Sequence, residues 1–115
     1  MSLSVNTRKV GEVVVVDMSG RLTAGEPVLL LRDTMRRFIE DGARNFVLNL
    51  GGVSYIDSSG LGELVTTYTS LQNRKGSVNL LNLGKKAYDL LQMTKLLTVF
   101  DTFDEEEKAV AAHGG

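Results

Sequence analysis

Hydroxyl and carboxylate groups crowd into one short run of this sequence, Asp57-Ser58-Ser59, followed directly by Gly60-Leu61-Gly62. A serine beside an acid can act as a nucleophile only if a base takes its proton. The chain has one histidine, His113, and no cysteine, and no lysine stands near Ser58 and Ser59 in sequence. A Ser-His-Asp arrangement is therefore not expected, and a thiolate nucleophile, a disulfide framework and a Cys-based zinc site are excluded. His113, close to the end of the sequence, is read as a solvated residue of a frayed tail. No G-x-x-x-x-G-K-[ST] loop is present and no G-x-G-x-x-G follows a strand; Gly60-Leu61-Gly62 is too short to cradle a phosphate chain. The residues thus predict a protein that is not an enzyme and needs neither cofactor nor metal.

Asp57, Ser58 and Ser59 have a simpler use as helix N-caps, satisfying the first free amides of a helix that follows. A cap does not account for Gly60 and Gly62, each of which weakens a helix by roughly 1 kcal/mol relative to alanine. Glycine at both places implies close approach, either by another part of the fold or by a partner chain.

The elements that must position this run can be traced from periodicity. Leu3–Thr7 alternates apolar and polar residues, and Val13–Val16 is continuous and β-branched, as in a strand covered on both faces. Gly11-Glu12 between them predicts a hairpin turn. Gly20 and Gly25 bracket a connection, Arg21–Ala24. Val28, Leu31, Met35, Phe38 and Ile39 then recur at helical spacing, with Pro27 in the first turn and Gly42 as a left-handed cap. Asn45–Leu50 predicts a third strand, and Gly51–Gly60 follows it, with the motif loop Val53–Ser59 carrying the hydroxyl run. Leu61, Leu64, Val65, Tyr68 and Leu71 predict a second helix ending before Gly76. Val78–Leu81 predicts a fourth strand, and Ala87, Leu90 and Leu91 a short third helix. Val99-Phe100 reads as a brief fifth strand, and Asp104–Ala112 as a terminal helix with Glu105, Glu106 and Glu107 at its positive end. The order ββαβαβαβα implies an α/β fold: a mixed central sheet of four to five strands with helices packed on it, as one domain over 1–115.

Composition agrees with that size and class. The 115 residues are 43% apolar and 23% charged, enough for one core and too few for two. The net charge of −1 gives no basic surplus for binding nucleic acid. Residues 1–95 hold 12 basic and 9 acidic side chains and residues 96–115 hold 1 and 5, so the acid is concentrated at the C-terminal end, where it is expected to cap the last helix. Arg32, Arg36, Arg37 and Arg44 form a small basic group interleaved with Asp33, Glu40 and Asp41, and are read as a solvated helix face. Met1–Ser4 shows no basic region or apolar run of signal length, and no stretch approaches the ~20 apolar residues of a membrane helix. A soluble, cytoplasmic protein is expected.

Asp57-Ser58-Ser59-Gly60-Leu61-Gly62, after Val47–Leu50 and Val53–Ile56, resembles the signature of STAS domains, and more closely that of bacterial anti-sigma factor antagonists. Gly20-Arg21-Leu22-Thr23, Val78–Leu83 and Leu90–Leu96 extend the likeness over nearly the whole chain. The resemblance implies a single STAS-like domain without catalytic activity. Such a domain binds an anti-sigma factor that is also a serine kinase, and so frees a sigma factor. It also implies that the kinase phosphorylates the serine after the motif's aspartate, here Ser58, and that a serine phosphatase reverses this. Asp57, Ser59, Gly60, Leu61, Gly62 and Thr23 would form the partner-binding surface around it. The wider family implies an alternative, an unphosphorylated scaffold subunit of a larger regulatory or transport complex. In open α/β sheets ligands gather at the carboxyl ends of the strands. The connections Arg21–Gly25, Val53–Ser59 and Asn82–Lys85 are expected there, with Ser58 central.

Overall fold

The computed structural model describes residues 3–114; Met1 and Ser2, read above as part of a terminus without a targeting signal, and Gly115 lie outside them. The elements run β1 Leu3–Val10, β2 Val13–Leu22, α1 Glu26–Glu40, β3 Asn45–Ile56, α2 Ser58–Asn73, β4 Ser77–Leu81, α3 Lys85–Met93, β5 Thr102–Phe103 and α4 Glu106–Gly114. They form one five-stranded sheet in the order β1-β2-β3-β4-β5, with β1 antiparallel to β2 and every other pair parallel. The expected ββαβαβαβα order is the observed one.

The valine run explains the layering. Side chains alternate across a strand, so neighbours face opposite layers. Val14 and Val16 join Phe46, Leu48 and Leu80 beneath Leu31 and Met35 of α1, Leu64 and Leu71 of α2 and Leu91 of α3. Val13 and Val15 face the other way and, with Val47 and Leu81, pack on Ala109 of α4. All four valines are buried, as a doubly covered strand requires.

β1 and β2 run past the expected stretches, to Val10 and Leu22, so Arg21 and Leu22 belong to β2 and not to a connection; three further boundaries differ, each for a local reason. β3 continues through Gly51-Gly52 to Ile56 instead of ending at Leu50. The two glycines serve close packing within the strand: a Cβ on Gly52 would lie 2.6 Å from Ser19 Cβ. Val99-Phe100 is not a strand. Lys95 adopts a left-handed conformation, Leu96–Thr98 form a short 3-10 turn, and Phe100 enters the core against Tyr68, leaving Thr102–Phe103 as β5. The terminal helix begins at Glu106 rather than Asp104.

His113 is not a solvated tail residue. It lies half-buried in the last turn of α4, with Nε2 2.9 Å from the Phe46 carbonyl and Nδ1 2.6 Å from Ser77 Oγ. A carbonyl only accepts, so Nε2 carries the proton, and in the neutral ring Nδ1 accepts from the serine hydroxyl. Burial pushes the imidazole below its ordinary pKa, partly offset by the Phe46 bond. The acidic end does more than cap its helix, since Glu106 accepts from Arg8 of β1 at 2.6 and 2.8 Å, and Arg8 also bonds Asp17 of β2.

Candidate functional site

The hydroxyl run sits where β3 hands over to α2. Asp57 is the N-cap: its backbone is extended and its Oδ1 accepts from the Gly60 N–H at 2.8 Å. Its Oδ2 accepts from the Ala24 N–H at 3.0 Å, and its own N–H donates to the Leu22 carbonyl at 3.3 Å. One carboxylate therefore ties the β2–α1 connection to the start of α2. The Gly60 amide, then that of Ala24, hold this carboxyl below the usual aspartate range, because both bonds favour the charged form.

Ser58 and Ser59 follow as the first residues of α2; both are exposed, and neither hydroxyl makes a hydrogen bond among the described residues. With Asp57 already in the capping position, the serines are left free of that duty. Gly60 is buried, and a Cβ there would fall 2.1 Å from the Leu22 carbonyl oxygen. Gly62 is the opposite case: it is exposed, and a Cβ would meet nothing within 4 Å.

The other expected site residues are distributed around this point. Thr23 is half-buried in the connection that Asp57 holds, and its carbonyl accepts from Val28 N–H at 3.2 Å. Leu61 is half-buried and turns toward the main core. Ser59 and Gly62 open onto a cleft of about 480 Å³ between α1 and α2, which Leu29, Arg32 and Glu63 also line.

Two features of this cleft escaped the sequence reading. Arg32 is not merely a solvated cation: its Nη2 lies 2.8 Å from Oε1 of Glu63, which is 4% exposed. Nothing in sequence spacing connects residues so far apart. Leu29, which lines the cleft, and its neighbour Leu30, which does not, are exposed large apolar residues on α1, at 50% and 39%. That signal was available, since both stand off the Val28-Leu31-Met35 stripe that builds the core. Of the other arginines in that group, Arg36 pairs with Asp33 and Arg44 donates to the Ile39 and Ala43 carbonyls at the end of α1, while Arg37 forms no ion pair among the described residues.

The model of the STAS domain family matches residues 4–109 of the chain. The chain belongs to the STAS domain family. Among its relatives is the anti-sigma-B factor antagonist of Bacillus subtilis, 30% identical over 111 residues, covering 96% of this chain and 99% of that protein. The corresponding antagonist of Staphylococcus aureus is 29% identical over 84% of this chain and 88% of its own length. The STAS fold itself is matched by a crystal structure from Thermotoga maritima, with a TM-score of 0.90 at 23% identity over 96% of this chain and 95% of that one. The Bacillus cell fate determinant SpoIIAA in its phosphorylated form superposes with a TM-score of 0.75 at 25% identity, over 95% of this STAS domain and 98% of that chain.

Proposed function

We propose that this STAS domain is an anti-sigma factor antagonist whose partner is a serine-kinase anti-sigma factor, and that Ser58 is the residue by which the pairing is switched off. The observation that carries the reading is the Ser58 hydroxyl: exposed, without a hydrogen bond among the described residues, and set at the N-terminus of a long helix beside a cap that does not need it. The names of the relatives support it, as does the existence of SpoIIAA in a phosphorylated form. The domain performs no catalysis of its own in this reading. A separate serine phosphatase restores the free hydroxyl.

The physics of the switch is local. Phosphorylation adds about −1.5 to −2 charges and three acceptor oxygens. The positive end of α2 tolerates an anion, so the fold is expected to persist, with the Asp57 carboxylate opposing the new charge only in part. The effect falls on the docking protein. A unit charge brought within ~5 Å of a like charge, at an effective dielectric of ~20, costs on the order of 3 kcal/mol. That corresponds to on the order of a hundredfold in affinity. Exposed Leu29 and open Gly62 beside the serines provide an apolar contact and a place for close approach by the partner.

The test is binding to the cognate kinase anti-sigma factor, measured by calorimetry. Ser58→Ala is expected to bind as the unmodified chain does, and Ser58→Asp to bind on the order of a hundredfold more weakly. Incubation with the kinase and ATP should place phosphate on the Ser58 peptide by mass spectrometry. Equal affinities of the two variants, together with phosphate on another residue, would refute the assignment.

A further inference from the structure

A second surface of the domain has the geometry of an unfilled strand position. β4 pairs with β3 only from Asn45↔Ser77 to Asn49↔Leu81. β3 runs on to Ile56, held on its other side by β2. At Asn82 the backbone N–H still donates to the Phe103 carbonyl of β5 and the side chain donates to Asn49, but a φ of 60° turns the chain aside toward α3. The lane that β4 would have continued into is a groove of about 570 Å³, between the upper part of β3 and α3. Its apolar lining includes Val53, Tyr55, Ile56, Ala87, Leu90 and Met93. Among the described residues no backbone hydrogen bond crosses from Val53–Ile56 to the 82–84 connection or to α3.

This edge is guarded only in part: Gly51-Gly52-Val53-Ser54-Tyr55-Ile56 contains neither a charged residue nor a proline, and α3 stands across a groove from it instead of covering it directly. Two of the large apolar side chains around it remain in water, Met93 at 76% exposed and Tyr55 at 46%, while Ile56 is buried and Val53 and Leu90 are partly buried. Two register shifts against β2, each giving β3 one extra residue, bend the edge and limit how many rungs a new strand could form. Side-chain anchoring in the groove must then supply the rest of the affinity. The rim sets the sign of charge. Lys85 and Lys86 open α3, and Asp89 is the acidic residue lining the groove; Lys85 pairs with Asp89 at 3.1 Å, and Lys86 forms no ion pair among the described residues.

We infer that this groove takes an extended peptide segment of a partner protein, laid along β3 in the lane β4 vacates, with apolar side chains on Met93 and Leu90 and an acidic flank toward Lys86. Main-chain pairing along the edge gives affinity, and the alternate side chains give selectivity. The groove shares no lining residue with the cleft beside Ser59 and Gly62. The inference does not depend on phosphorylation of Ser58.

The test uses the full isotope-labelled chain and one designed probe, the end-blocked heptapeptide Glu-Val-Thr-Leu-Thr-Val-Glu, followed by NMR. Amide shifts are expected in Gly51–Ile56 and in α3, with the Met93 methyl moving too. Methylating alternate peptide nitrogens should weaken binding by roughly tenfold, because the strand bonds are lost. Lys86→Glu should weaken it by about threefold at low salt, with an unchanged melting temperature. Met93→Asp, at an exposed position, should abolish it without unfolding the domain. Absence of edge shifts at millimolar peptide overturns the inference. So does equal binding of the methylated peptide, or edge shifts that follow protein concentration alone, which would make the occupant a second copy of this chain.

Discussion

At the scale of single residues, the two glycines of the Asp57–Gly62 run separate what the fold needs from what a partner needs. Gly60 faces the Leu22 carbonyl, a backbone atom that cannot swing away. Gly60→Ala should therefore destabilise the domain by about 1–3 kcal/mol, the usual cost of overpacking, despite alanine's better helix propensity. Gly62 faces open space, so Gly62→Ala should leave stability unchanged or raise it by up to about 1 kcal/mol. Thermal and urea unfolding of the two variants will read this contrast directly. If a partner approaches closely at Gly62, the same stable variant should bind the kinase anti-sigma factor more weakly. Unaltered binding would remove Gly62 from the contact surface while leaving Ser58 unaffected. The sequence already asked for close approach at both glycines; it could not divide the demand, because a local run of residues does not say that the end of β2 passes behind one of them.

At the scale of elements, what was legible in the sequence follows how local each determinant is. The β1–β2 hairpin and α1 were readable from Gly11, the valine run, Pro27 and the Val28-Leu31-Met35 stripe, each set by neighbours in the chain. The upper half of β3 was not, because a Gly51-Gly52 pair marks a strand end until the packing against Ser19 is seen. β5 was misplaced for a similar reason: Val99-Phe100 has strand-like composition, yet Phe100 is drawn into the core by Tyr68. The docking of α4 is the least visible, since Arg8 of β1, Phe46 of β3 and Asn79 of β4 meet it from three different strands. Asn79 Nδ2 donates to the Ala109 carbonyl at 3.0 Å, and Ala109 is fully buried on Val13, Val15, Val47 and Leu81. The exposed Arg8 ion pairs contribute little by comparison. Ala109→Asp should place a carboxylate in that apolar seat, at a cost capped by the energy of undocking the helix. We expect α4 to detach while α1–α3 stay packed. Hydrogen exchange should accelerate on the order of a hundredfold across Glu106–Ala112 and hardly at all across α2. Uniform acceleration would instead mean that the two sheet faces unfold as one unit.

At the scale of the whole molecule, stability against acid should fall in two stages, because the shifted groups titrate in separate ranges. His113 is held below its ordinary value of 6.5 by burial. The unfolded chain therefore takes up a proton first as pH drops below about 6.5, and the native state loses stability from there down to the lowered native pKa. Asp17 and Glu106 are held down chiefly by their bonds to Arg8, and Asp57 by the amides of Gly60 and Ala24. For these the sign is the usual one for carboxylates: their contribution is complete above the ordinary values of 4.5 for glutamate and 3.8 for aspartate, and it is lost as pH falls through the depressed native values. Urea midpoints measured from pH 8 to pH 3 should thus show a shallow decline beginning near neutrality and a steeper one below about 4.5. His113→Gln keeps an N–H donor for the Phe46 carbonyl and has nothing to titrate, so it should flatten the first stage and leave the second. The first loss loosens α4, and the second reaches Asp57 and the start of α2. Binding at Ser58 should therefore survive the first stage and weaken only in the second, and a binding curve that instead followed the histidine stage would show the two faces of the sheet to be coupled.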